Sequence, residues 1–179
     1  MTTGWSHLRH PIVIAGLCLA IGLVLAHAAG LRLNTTHSIP LGLYRMSSDP
    51  ITKGAYVLWC PPERSVFDLA KERGYIGAGF CPGGYGKMMK KVVASHHDVV
   101  SVTDEGVTIN GILLPSSQPV EADSMGRPLP RLRMTDQVLA SSELWLMSDT
   151  NSRSFDARYF GPVHRMHIQS LIHPVWTWE

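Results

Sequence analysis

Two residues in this chain have the types and settings for nucleophilic chemistry, a serine at position 38 and a lysine at position 90. Ser38 stands in Asn34-Thr35-Thr36-His37-Ser38-Ile39-Pro40-Leu41-Gly42-Leu43-Tyr44. Pro40 fixes its own φ and pushes Ile39 towards extended geometry, while Gly42 permits a turn that other residues resist. The segment is therefore stiff and non-helical, and it presents Ser38 at a defined angle. A serine hydroxyl becomes a nucleophile only when the fold brings a base to it. Without one, Ser38 is an ordinary turn serine. The neighbouring His37 is a poor candidate for that base, because adjacent residues on an extended chain point apart.

Periodicity singles out the lysine. Lys87 to Ala94 reads as a strand, and side chains alternate between its faces. Lys87, Met89, Lys91 and Val93 share one face; Met88, Lys90, Val92 and Ala94 share the other. On that second face Lys90 is the only polar group. A charged amine buried without a partner costs several kcal/mol, and it responds by losing its proton. Bringing a lysine from its usual pKa of about 10.4 to neutrality near pH 7–8 takes about 4 kcal/mol of differential solvation. A neutral amine of that kind is a competent general base for a serine hydroxyl. The competing reading is a lysine that snorkels its head into water. Lys91, on the more polar face, is the ordinary lysine of the pair.

Both residues must be positioned by the elements around them. From Pro11 to Leu31 there is no Lys, Arg, Asp or Glu, and a helix of about 20 apolar residues crosses a bilayer. Residues 1–33 read as a tail and membrane anchor, and 34–179 as the catalytic domain. Ala26-His27-Ala28 also fits a small-x-small cleavage site, so a removable signal peptide is the alternative. Orientation stays open, since Arg9 precedes the run while Arg32 and Arg45 follow it. Seven residues separate Leu31 from Ser38, a reach of at most about 25 Å. Ser38 therefore lies near the membrane surface, and a substrate tethered there would meet it.

Composition narrows the function. The 179 residues suit one moderate domain plus an appendage. Charged residues make up 17% and the net charge is only +2, without the concentrated basic face of a nucleic-acid binder. Arg127, Arg131 and Arg133 are interrupted by Pro128 and Pro130 and read as a solvated loop, with lipid headgroups or a partner as the alternative contact. Gly83-Gly84-Tyr85-Gly86 lacks the spacing of a phosphate loop. His96-His97 and His164-x-x-His167 have no acidic cluster to complete a metal site. No metal and no cofactor is expected.

Cys18 falls in the apolar run. Cys60 and Cys81 could form a disulfide worth roughly 3 kcal/mol in an oxidising space; two free thiols in a reducing one is the other reading. Between them Ser65-Val66-Phe67-Asp68 resembles a capping box opening a short helix through Arg73. Gly74, Gly77 and Gly79 then break the chain, and the segment reads as an insertion covering something rather than as core.

Val99 to Val102 and Val107 to Ile109 flank Asp104-Glu105-Gly106 as a hairpin, and Asn110-Gly111 turns into Ile112-Leu113-Leu114. Leu144 to Met147 and Met166 to Trp178 supply further strands. The polar, proline-rich stretch 116–130 reads as a long surface loop. The fold class is mainly β, an antiparallel domain behind one membrane-length helix, with a short helical insertion.

A third motif runs from Ser148 to Val163: Ser148-Asp149-Thr150-Asn151-Ser152-Arg153-Ser154-Phe155-Asp156-Ala157-Arg158-Tyr159-Phe160-Gly161-Pro162-Val163. It resembles a Gly-Asp-Asn-x-x-x-Ser-x-Asp-Ser-Arg-Tyr-Phe-Gly box. Taken with Thr36-His37-Ser38-Ile39-Pro40 and Lys90-Lys91-Val92-Val93-Ala94, in that order, it makes the chain resemble the serine/lysine type I signal peptidases. The His-Ser-Ile-Pro-Leu-Gly-Leu-Tyr form and the cysteine-flanked insertion are most similar to the branch of that family that matures conjugative pilins.

The resemblance covers most of the soluble chain and implies roles. Ser38 would be the nucleophile and Lys90 its general base. Ser154 would bond the lysine amine and aim it. Thr36 would help the Ser38 N–H bind the oxyanion, where one donor is typically worth 10²–10³ in rate. Asp156 matches an aspartate the pilin-maturing branch is thought to need. A carboxylate touching Lys90 would raise its pKa and spoil it as a base, so Asp156 is expected to pair with Arg158 or Lys91 and hold the geometry.

The implied setting is the bacterial inner membrane with the catalytic domain in the periplasm. The implied partners are a membrane-bound pilin precursor, the bilayer and other type IV secretion proteins. The resemblance also implies cyclisation of the pilin. Two departures stand out: general members of the family prefer Ser-Met-x-Pro at the nucleophile, and this chain lacks their large second β domain. Both favour a dedicated peptidase. The alternatives are a general signal peptidase acting on exported preproteins and a non-catalytic scaffold for pilus assembly.

Overall fold

The computed structural model describes residues 6–148 and 150–178, with side chains from residue 11 onwards. Met1–Trp5, Glu179 and Asp149 of the third motif lie outside the described residues. Helix α1 (Ser6–Ala28) leads the chain. Its Pro11–Ala28 stretch has a mean hydropathy of 2.3 and is 0% buried, so it is long and apolar enough to cross a membrane. The last turn is closed by the Arg32 guanidinium, which donates to the His27 carbonyl at 2.8 Å. A cation there also complements the helix dipole.

After a turn at Ala29 and Gly30 come β1 (Leu31–Asn34), β2 (Leu41–Ser47), β3 (Tyr56–Trp59), α2 (Ser65–Glu72), β4 (Met88–Ala94), β5 (Val99–Val102), β6 (Val107–Ile109) and β7 (Ile112–Leu113). Then follow β8 (Met134–Val138), β9 (Glu143–Met147), α3 (Ala157–Phe160), β10 (Val163–His164) and β11 (Ile168–Trp178). A seven-stranded sheet has the order β1-β2-β11-β3-β4-β9-β10, and a four-stranded sheet the order β7-β6-β5-β8. Every strand pairing is antiparallel. The large sheet already includes Leu31 to Leu33, residues that a boundary at 33 leaves with the anchor.

Three local expectations are corrected. Gly42 lies inside β2 rather than in a turn: its φ is +152°, and a Cβ there would stand 2.7 Å from the Thr177 Cα. Close approach of β11 is what requires glycine. Ser65 does not cap α2, because the helix begins one residue earlier than a capping box needs. Arg64 is the cap residue and makes no side-chain cap bond, while the Asp68 carboxylate accepts from the Tyr85 hydroxyl at 2.5 Å.

The insertion is also more than a cover. Cys60 and Cys81 form a disulfide with Cα atoms 5.5 Å apart. Within that loop Phe67 and Ala70 are fully buried, and the Phe67 ring packs 5.8 Å from Trp59 and 5.1 Å from Phe160. The α2 stripe is thus part of the main core. The arginines of the 116–133 loop are each paired, Arg127 with Asp123, Arg131 with Glu121 and Arg133 with Asp104.

Candidate active site

Strand β4 delivers the lysine as its alternation predicts. Met88, Lys90, Val92 and Ala94 are buried while the residues between them are less so. Lys90 sits mid-strand opposite Val57 of β3, in the interior of the large sheet. It is only 1% exposed, so the snorkelling alternative does not apply. Its Nζ lies 2.9 Å from Ser38 Oγ and 2.5 Å from Ser154 Oγ. Residues 52 and 64 positions apart in sequence thus converge on one amine. Burial pushes the Lys90 pKa down to about 8. The Asp156 carboxylate pulls it back up, and the Arg158 guanidinium pushes it down again.

Ser38 rides on the turn between β1 and β2, and that turn is pinned by a residue sequence reasoning passed over. Asn34 is 4% exposed. Its Nδ2 donates to the carbonyls of Thr36, Ile39 and Pro40 at 2.8, 3.0 and 3.0 Å. Its Oδ1 accepts from the Thr36 N–H at 3.2 Å and the Thr36 hydroxyl at 3.0 Å. One side chain thereby replaces the ladder bonds that the reversing backbone cannot make, as asparagine does in Asx turns. The signal was an asparagine immediately before two threonines. The Tyr44 hydroxyl adds a further bond to the Pro40 carbonyl at 2.7 Å.

Thr36 shares a cavity of about 220 Å³ with Ser38, along with Leu33, Met88, Met89 and Tyr75. Its hydroxyl is turned towards Asn34. The 150–156 segment reaches over from the other side, where the Thr150 hydroxyl donates to the His37 carbonyl at 3.3 Å. This loop is itself folded by the Ser148 hydroxyl, which accepts from the N–H groups of Thr150 and Asn151. The Ser154 N–H in turn donates to the Asn151 carbonyl at 3.1 Å, which aims Ser154 at the amine.

Asp156 and Arg158 are both fully buried. Arg158 Nε and Nη2 donate to the two carboxylate oxygens at 2.8 and 2.9 Å, a bidentate pair. Of the two partners expected for Asp156, Arg158 is the one found; Lys91 instead lies over the Tyr56 ring, 5.7 Å from its centroid. The remaining Arg158 nitrogen donates to the carbonyls of Ser116, Gln118 and Ser152. The Asp156 carboxylate also accepts from the Ser148 and Arg158 N–H groups. The pair therefore staples the loop bearing Ser154 to the 116–118 segment. Among the described residues, no group of three or more His, Cys, Asp or Glu side chains could hold a metal ion.

A buried amine that is neutral part of the time, touching a serine hydroxyl beside an open cavity, can remove that hydroxyl's proton and return it to a leaving group. This is the chemistry of a serine peptidase, set on an antiparallel β framework behind a membrane-length helix. The model for the family described as signal peptidase, peptidase S26, matches residues 5–177, and the chain belongs to that family.

The chain is 58% identical to a plasmid transfer protein TraF from Escherichia coli over 167 residues, covering 93% of this chain and 94% of that one. It is 37% identical over 177 residues to a conjugal transfer protein TraF from Agrobacterium tumefaciens (strain 15955), covering 97% and 98% of the two chains. A crystal structure of a signal peptidase I from Enterococcus faecalis V583 aligns with 71% of this chain and 100% of that chain, at a TM-score of 0.41 and 15% identity.

Proposed function

We propose that this protein is a membrane-anchored serine endopeptidase in which Lys90 activates Ser38, and that it processes the pilin precursor of a conjugative type IV secretion system. The observation that carries the reading is the 2.9 Å contact between a serine hydroxyl and a fully buried lysine amine. The substrate rests on the relatives, which carry the names plasmid transfer and conjugal transfer protein. The membrane-length helix directly before β1 suits a substrate held at the bilayer, with the catalytic domain on the periplasmic face of the inner membrane.

In the first half-reaction, neutral Lys90 Nζ takes the proton from Ser38 Oγ as the oxygen attacks the scissile carbonyl carbon. The Ser38 N–H stabilises the oxyanion, and the Thr36 hydroxyl assists it only by turning away from Asn34 Oδ1, to which it donates in the free protein. Collapse breaks the C–N bond, and the Lys90 ammonium gives its proton to the departing nitrogen. That leaves an acyl-enzyme on Ser38 and a neutral lysine. Ser154 holds the amine in line throughout. In the second half-reaction the pilin's own amino terminus attacks the ester carbonyl, Lys90 takes a proton from that amine, and the proton returns to Ser38 Oγ. Aminolysis outruns hydrolysis when the amine is held close, since proximity is worth up to about 7–11 kcal/mol.

The test is incubation of the cognate pilin precursor with the full chain, followed by mass spectrometry. Cleavage should disappear in Ser38→Ala and in Lys90→Ala, whereas a scaffold would tolerate both. A linear product, heavier than the cyclic one by one water, would reject cyclisation and spare the peptidase. Cleavage of several unrelated preproteins would point instead to a general signal peptidase.

A further inference from the structure

Beyond the Ser38 cavity lies a second one that the steps above leave unused. It has a volume of about 300 Å³, and its walls include Tyr75, Leu129, Phe155 and Tyr159, with Asp123 and Arg153 at its polar edge. The Phe155 and Tyr159 rings lie parallel with centroids 5.8 Å apart, and the Tyr75 ring stands 5.5 Å from Phe155. Tyr75 also lines the cavity that contains Ser38, so the two share a wall. Arg153 and Phe155 flank Ser154, whose hydroxyl touches the Lys90 amine. The aromatic slot therefore adjoins the reacting atoms, across the Tyr75 wall and beside Ser154.

Its two charged groups are not alike. Asp123 is saturated: it accepts from the Tyr75 hydroxyl, from Arg127 Nε and from the N–H groups of Met125 and Arg127. Arg153 is exposed, and among the described residues its guanidinium has no ion pair and no hydrogen bond; only its backbone N–H is engaged, with Asn151. An apolar aromatic slot edged by an unpaired guanidinium is complementary to an apolar side chain next to a carboxylate.

Lys90 must hand its proton to the departing nitrogen, so the departing chain leaves past Nζ, on the side of Ser154 and its neighbours. The cavity lined by Leu33, Thr36 and Met89 is left for the acyl chain. We propose that the aromatic cavity is the leaving-group subsite, which takes the segment C-terminal to the scissile bond through an apolar side chain in the slot and an acidic group on Arg153. This rests on the peptidase reading above. An attacking amine retraces the path of the departing one, so the released segment must vacate this side before aminolysis. An exposed, solvent-screened contact with Arg153 suits quick release.

The experiment separates binding from cleavage. Full-length Ser38→Ala protein in detergent is titrated with fluorescein-labelled hexapeptides that differ only in carrying Leu-Glu or Leu-Lys, and affinity is read by anisotropy. The Leu-Glu peptide should bind about fivefold more tightly than the Leu-Lys peptide. In Ser38→Ala/Arg153→Glu the preference should reverse, and Tyr159→Ala should weaken both peptides. The same sign of preference in both proteins, equal affinities or no binding at all would overturn the subsite. Loss of Ser38-dependent cleavage of the precursor would overturn the peptidase reading instead, and it is measured separately in the protein that retains Ser38.

Discussion

The buried ion pair beside the lysine offers the sharpest test of how this site is tuned. With Lys90 at about 8 against an ordinary 10.5, burial, helped by the Arg158 charge, outweighs the Asp156 field by about 3 kcal/mol net. At pH 7 about one lysine in ten is then neutral, so rate should climb almost tenfold per pH unit up to about 7 and bend towards a plateau above about 8. Asp156 and Arg158 act on this balance with opposite signs. Asp156→Asn removes the charge that favours the protonated amine, so the acid limb of kcat/KM should move to lower pH. Arg158→Gln leaves Asp156 unopposed, so the limb should move to higher pH and activity at pH 7 should fall.

Both substitutions break a fully buried bidentate pair, and removing one partner of such a pair costs about 3–5 kcal/mol. A lower Tm in both variants is therefore expected and decides nothing about tuning. Read over the pH range in which circular dichroism shows each variant folded, the midpoint of the limb reports the amine rather than the stability, which makes a pH–rate profile on a chromogenic peptide the deciding assay. Limbs that stay in place, or move in the same direction in both variants, would refute the electrostatic reasoning and leave the pair a staple only.

Further expectations follow from the same geometry. Asn34→Ala should lower kcat about 10²-fold, the usual effect of a nucleophile displaced by about 1 Å, while KM and the acid limb change little; an unaltered kcat would show that the turn holds without its amide. Because Lys90 titrates near 8 folded and 10.5 unfolded, the unfolded chain binds the extra proton between those values, so the penalty is full below 8 and fades as pH rises towards 10.5. Lys90→Met, though inactive, should then be more stable than the native chain by up to about 3 kcal/mol at pH 7 in denaturant titrations, with the advantage narrowing above pH 8. Reducing the Cys60–Cys81 bridge, which spans a sequence separation of 21, should cost about 3 kcal/mol and also slow cleavage, because Tyr75, Ile76 and Gly77 of that loop line the Ser38 cavity.

Legibility in the sequence tracked the range of the interactions. The Lys90 face could be read because a period-two pattern is a local signal, and the burial along β4 follows it residue by residue. The hairpin of β5 and β6 could be read because its turn chemistry lies between its strands. By contrast β1, β2 and β3 were hidden. Pro40 and Gly42 look like turn residues, yet Gly42 is an interior strand position demanded by β11, whose partner residues lie some 135 positions later. β8 is hidden for another reason: Met134 to Val138 has no buried alternation, as befits the edge of the smaller sheet.

The site divides the same way. Ser38, Lys90, Ser154 and Asp156 stand in three separated segments, each weak by itself, and their fixed order gave the family resemblance its force. What order and spacing could not supply was the support beneath the serine. Asn34 has the composition of a loop residue, and only the backbone's reversal around it turns its side chain into five simultaneous bonds. A nucleophile held by local hydrogen bonds, facing a base held by long-range strand pairing, requires both to be rigid. The expense of burying the amine is then met by the whole seven-stranded sheet, while the serine's aim depends on a few side chains around one turn, chiefly the Asn34 amide with the Tyr44 and Thr150 hydroxyls beside it.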